Sequence, residues 1–139
     1  MQPQIVWRGS IPVVETPVSQ APRTPVVLVV TSDADLRAAS ERVLSREEYA
    51  VVTAAHAGHA VLACLKAGRV DVLVAELSME DVSGPALAAR LRRHCPEMAT
   101  VYVAKSGTPE CEGVLVRPFT RDDLVNALGL RLAEAAIGA

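Results

Sequence analysis

Aromatic side chains are nearly missing from this chain: one tryptophan, two tyrosines and one phenylalanine in 139 residues. Half of the residues are nonetheless hydrophobic, so any core has to be built mainly from Val, Leu and Ala. Charge of one sign is missing as well. Fourteen basic residues face sixteen acidic ones, and a formal net charge of −2 removes the electrostatic reason to expect a nucleic-acid partner. Cysteine is scarce. Cys64, Cys95 and Cys111 are odd in number and follow no metal or disulfide spacing, which favours buried or incidental thiols and makes a reducing cytoplasm the default location. The apolar runs are far shorter than the roughly 20 residues a membrane helix needs. The opening Met1-Gln2-Pro3-Gln4 lacks the basic and then apolar order of a signal peptide. No G-x-G-x-x-G, Walker loop or nucleophile elbow occurs, leaving nucleotide and hydrolase readings without support.

What is present is unevenly distributed. Five of the nine prolines, Pro3, Pro12, Pro17, Pro22 and Pro25, fall in the first 25 residues. Proline fixes its own φ and donates no hydrogen bond, so residues 1–25 are expected to form an extended, largely irregular arm. Ile5-Val6-Trp7 and Ile11-Pro12-Val13-Val14 could lie against a hydrophobic surface; a disordered arm is the alternative.

From Val26 the pattern is regular, and residues 26–139, a length that suits one domain, form the folded unit. Val26-Val27-Leu28-Val29-Val30 is a continuous β-branched run, as expected for a strand buried on both faces. Ser32 with Asp35 gives a capping signature for a helix carrying Leu36, Ala39, Val43 and Leu44. A strand near 50–53 leads through His56-Ala57-Gly58-His59 into a helix carrying Val61, Leu62 and Leu65, closed by Gly68. Residues 70–75 are the third strand. Pro85 stands in the first turn of the following helix, and Arg90, Arg92, Arg93 and His94 at its end suit the helix dipole. Val101-Tyr102-Val103-Ala104 and Val114-Leu115-Val116 are the fourth and fifth strands. Thr120 with Asp123 caps a last helix carrying Leu124, Leu128, Leu130 and Leu132. Strands alternating with helices predict an α/β fold, a five-stranded parallel doubly wound sheet in the order 2-1-3-4-5. Only residues 105–113 link strands four and five, too few for an ordinary parallel crossover, so the helix there should be missing or shortened.

In such sheets the functional site lies at the carboxyl ends of the strands. Here those ends present Thr31-Ser32-Asp33, Glu76, Ala104 and Arg117. The segment from Val27 to Arg37 resembles the first strand and acidic turn of a response-regulator receiver domain of the CheY-like kind. Asp71 to Gly84 is similar to that family's third strand and phosphoacceptor loop, and Val114-Leu115-Val116-Arg117-Pro118-Phe119 to its fifth strand with a basic residue and proline. The matches come in the family's order and span about residues 26–130.

The resemblance implies transfer of a phosphoryl group to an aspartate with Mg²⁺ held by an acidic pair, and the key positions depart from that pattern. Thr31 and Ser32 stand where the acidic pair is implied, and neutral hydroxyls hold Mg²⁺ poorly. Asp33, one residue on, could substitute only if the turn shifts. The acceptor position holds Glu76, whose extra methylene displaces the reacting oxygen, a displacement that positional catalysis tolerates badly. The hydroxyl position at the end of strand four holds Ala104, or Lys105 with a one-residue shift. The lysine position holds Arg117, able to form a bidentate pair with Glu76. Receivers commonly dimerise or deliver output through the face that includes the fourth helix, and losing that helix should bare sheet surface for the arm, a second subunit or a partner protein.

The remaining motifs favour plain readings. His56 and His59 lack a third ligand nearby and read as polar loop residues before a metal site. Arg90, Arg92, Arg93 and His94 read as a solvated helix end, and Glu80 with Asp81 as a solvated acidic loop. The expectation is therefore a pseudo-receiver without enzyme activity. It has no cofactor and weak or no Mg²⁺ binding, and acts in two-component signalling through protein partners, a homodimer among them, with no nucleic acid or membrane. A receiver still phosphorylated in a phosphorelay is the alternative; a flavodoxin-type small-molecule binder is the third class.

Overall fold

Apolar residues alternate along the strands of the parallel sheet and feed two separate layers, which is what a sheet covered on both faces requires. The structure, a computed structural model, describes residues 4–8, 11–15 and 24–138. Numbered along the chain, β1 (Gln4–Arg8) and β2 (Ile11–Glu15) pair antiparallel, and β3 (Val26–Val30) begins the main sheet. After it come α1 (Ala34–Arg46), β4 (Ala50–Ala54), α2 (Ala57–Ala67) and β5 (Val72–Glu76). α3 (Gly84–Leu91), β6 (Ala99–Ala104), β7 (Val114–Val116) and α4 (Arg121–Gly138) complete the chain. The five main strands are all parallel in the order β4-β3-β5-β6-β7, which is the expected 2-1-3-4-5.

One layer takes Leu28 and Val30 of β3 with Leu73 and Ala75 of β5, packed against Ala60 and Cys64 of α2 and Leu87 and Leu91 of α3. The other takes Val27, Val29, Val72, Val74, Val101 and Val103 against Leu44 of α1 and Leu124 and Leu128 of α4. Each fully buried leucine or valine contributes about 2 kcal/mol of hydrophobic stabilisation. At the amino ends of the strands, Asp71 accepts from Val26 N–H (2.7 Å) and pairs with Arg69 (2.9 Å), holding β3 and β5 in register.

Four local expectations are corrected. The arm was expected to be irregular, yet residues 4–8 and 11–15 form a hairpin; in a two-stranded ribbon both strands are edges, so Pro12 is tolerated. The remaining residues before 24 lie outside the described ones. The cap of α1 is Asp33, not Ser32: its carboxylate accepts from Asp35 and Leu36 N–H. α2 buries Ala57, Ala60 and Cys64, which recur at helical spacing on the face turned to the sheet, and leaves Leu62 and Leu65 exposed. In α4, Leu124 and Leu128 are buried while Leu130 faces out. Between β6 and β7, as expected, there is no helix.

Candidate functional site

Three strands end at the carboxyl edge of the sheet, and the turns after them place the polar groups of the clefts there. β3 ends in buried Thr31, whose hydroxyl accepts from Asp33 N–H (3.1 Å) and whose carbonyl accepts from the Arg37 guanidinium (2.7 Å). That fixes the turn so that Asp33 both caps α1 and reaches the cleft. β5 ends in Glu76. The loop after it is pinned: Leu77 N–H donates to Val103 carbonyl, and Gly84 N–H returns to Leu77 carbonyl (2.9 Å). Arg117 follows β7, its backbone N–H donating to the Ala104 carbonyl.

The guanidinium of Arg117 joins the three. One terminal nitrogen lies 3.1 Å from Asp33 Oδ2 and the other 3.1 Å from Glu76 Oε1. A planar fork can hold two carboxylates at once in this way, which an ammonium point charge does not. All three side chains are part-exposed, Glu76 the least at 22%. The hydrogen bond from Leu36 N–H, and next the one from Arg117, hold the Asp33 carboxyl below the usual carboxylate range.

The other expected site residues make no bond to this trio but line clefts beside it. Ser32 is exposed and lines a cleft of about 300 Å³ with His56, Glu76, Met79, Glu80 and Asp81. Ala104 lines a second cleft of about 420 Å³ with Glu76, Lys105, Thr108 and Arg117, and contributes no hydroxyl there. Sequence reasoning missed Thr108, whose hydroxyl, donating to Lys105 carbonyl (2.8 Å), does line that cleft; nothing in a loop of glycine and proline marked it. It also missed Arg37 beneath the first turn. Asp81, exposed with Glu80 as expected of a solvated acidic loop, also accepts from Ala57 N–H (3.1 Å) and ties that loop to the start of α2. His56 is the cap of α2, accepting from His59 N–H, with the two rings stacked at 3.9 Å. The H-x-x-H spacing is therefore that of a helix cap.

The divalent cation that the resemblance implies finds no fitting donor set. Asp33 and Glu76 each have an oxygen on Arg117, and Thr31 offers only a neutral hydroxyl that already accepts from Asp33 N–H. Among the described residues no group of three or more His, Cys, Asp or Glu side chains could hold a metal ion.

Comparison with known proteins places the fold. The model of the response regulator receiver domain matches residues 27–129. A CheY-like response regulator receiver domain protein from Methanospirillum hungatei JF-1 is 20% identical with a TM-score of 0.70, covering 84% of this chain and 100% of its own. A response regulator receiver protein from Sinorhizobium medicae WSM419 is likewise 20% identical, with a TM-score of 0.69 over 81% of this chain and 98% of its own. NtrX from Brucella abortus, solved with ADP, is similar over 84% of this chain but only 29% of its own length, at 21% identity and a TM-score of 0.72. None of the curated proteins matches.

Proposed function

The chain belongs to the response regulator receiver domain family, and from that premise we propose that it signals by protein association without taking up a phosphoryl group. The family places it in two-component signal transduction; the mode of action is the proposal. The observation that carries it is the Arg117 bridge between Asp33 and Glu76.

Phosphoryl transfer to a carboxylate is governed by positioning and by a cation that neutralises the transferred group. Here the guanidinium supplies the only positive charge on the two carboxylates among the described residues, and it holds both of them. Glu76 would present its oxygen one methylene beyond the place of an aspartate, already paired. Its single carboxylate charge is less than that of a phosphoryl group, and it shares the one guanidinium of Arg117 with Asp33. The pocket on this reading is a fixed structural junction of three strand ends. Regulation then comes from the availability of the partner.

Incubation with acetyl phosphate and Mg²⁺, followed by intact-mass measurement, tests this. The expected result is an unchanged mass. An added phosphate mass that disappears in Glu76→Gln or Asp33→Asn would overturn it and favour a receiver that is still phosphorylated.

A further inference from the structure

β7 is the last strand of the main sheet, and among the described residues nothing pairs with its outer side. Toward β6 the ladder uses Gly113 carbonyl, which accepts from Tyr102 N–H, and Arg117 N–H, which donates to Ala104 carbonyl. By strand alternation the backbone groups of Leu115 face β6. The Val114 and Val116 carbonyls and the Val116 N–H face outward.

The side chains repeat the asymmetry. Leu115 packs into the layer beneath α1 and α4, while Val114 and Val116 point to the opposite face and join neither buried cluster. That is the face a helix between β6 and β7 would cover. A groove of about 680 Å³ runs from this edge to α4, over Val116, Phe119, Ala127 and the 62%-exposed Leu130. Its charged lining residues are Glu110, Glu112 and Asp123, and no lysine or arginine lines it. Arg131 lies 3.7 Å from Glu112, and Asp123 accepts from Thr120 N–H, while Glu110 has no ion pair among the described residues.

We propose that this edge and groove receive an extended, basic segment of a partner protein as an added sixth strand. This deepens the association reading above by naming its surface. Strand addition satisfies the outward backbone groups, which a helix laid on the same surface would leave unpaired. Alternate apolar side chains of the incoming strand cover Val114 and Val116, and its cations meet the three carboxylates. A second copy of this chain would set those carboxylates against their own counterparts, an arrangement that costs affinity.

The test uses the ¹⁵N-labelled full chain and a short synthetic peptide alternating valine with lysine or arginine. A control peptide carries glutamate in place of the cations. Amide shifts are expected at Val114–Val116 and at Ala127 and Leu130, with affinity falling about tenfold between low and high salt as the Debye length shortens. The pair Glu110→Lys and Glu112→Lys should weaken binding about tenfold, and Val116→Pro should abolish it by deleting the outward N–H while the ladder to β6 stays intact. Several outcomes would overturn the proposal. These are no shifts at millimolar peptide, shifts on another face, or equal binding of the glutamate peptide. Concentration-dependent dimerisation through the same residues would identify a second copy instead. Slow exchange of the Val116 amide in the free chain would identify its own amino-terminal segment. Phosphate uptake at Glu76 would sink the earlier reading and leave this mapping unaffected, so the two failures are separable.

Discussion

At the scale of single residues, Asp33 does two things at once. Its carboxylate caps α1 through Asp35 and Leu36 N–H and also pairs with Arg117. Both contacts favour the ionised form, so its folded-state pKa lies below the unfolded one. A group shifted in that direction lends stability above its unfolded pKa, near 4, and loses it as pH falls through the lower folded value. Asn also caps helices well, so Asp33→Asn isolates the charge. The variant should show a lower urea midpoint than the parent at neutral pH, with the gap narrowing as pH drops below about 4. A gap of equal size at both ends of that range would contradict the assignment.

At the scale of elements, the positions of Glu76 and α3 depend on one close approach. A Cβ added at Gly84 would sit 2.5 Å from the Glu76 carbonyl oxygen and 2.8 Å from Tyr102 Cδ1. Neither contact is the free end of a flexible chain, so the loop between β5 and α3 would have to open. Gly84→Ala is expected to lower stability by about 2 kcal/mol, read as a reduced urea midpoint, with shifted amide resonances at Leu77 and Glu76. Wild-type stability in that variant would show the loop to be more yielding than its hydrogen bonds imply. The same element-scale logic explains α2. It lies against β3 and β4 through alanines and a cysteine, and its larger residues therefore face water.

At the scale of the whole molecule, the two-layer core decides which thiols can react. Cys64 of α2 and Cys95 beyond α3 are buried with their sulfurs 3.5 Å apart. Burial first, and Cys95 beside it second, pushes the Cys64 thiol up to about 11. A thiol so placed holds almost no thiolate at neutral pH and is inert until the layers separate. Cys111, in the exposed link before β7, is free. Titration of the native chain with Ellman's reagent should therefore release one fast equivalent, with the other two appearing only on unfolding. More than one fast equivalent in the folded chain would contradict the packing described.

The fold class was legible in the sequence because continuous β-branched runs, helix caps and a short link before the last strand each act locally, and together they give an alternating strand and helix pattern. The missing helix follows from the nine residues between β6 and β7, and the order 2-1-3-4-5 is the usual one for a doubly wound sheet of five strands. The site was legible as a set of positions, since strand ends are where such sheets expose side chains. Other features depend on distances between segments far apart in sequence, and only the tertiary structure could decide them. Asp33 and Arg117, 84 residues apart, meet because β3 and β7 carry their ends to one edge. Asp81 accepts from Ala57 N–H, 24 residues earlier at the start of α2, and α2 turns its smaller face inward, for the same reason. The amino-terminal hairpin was signalled by Gly9-Ser10 between two apolar runs, a cue the prolines obscured. Sequence determined which residues stand at the strand ends; packing determined that one arginine holds two of them together.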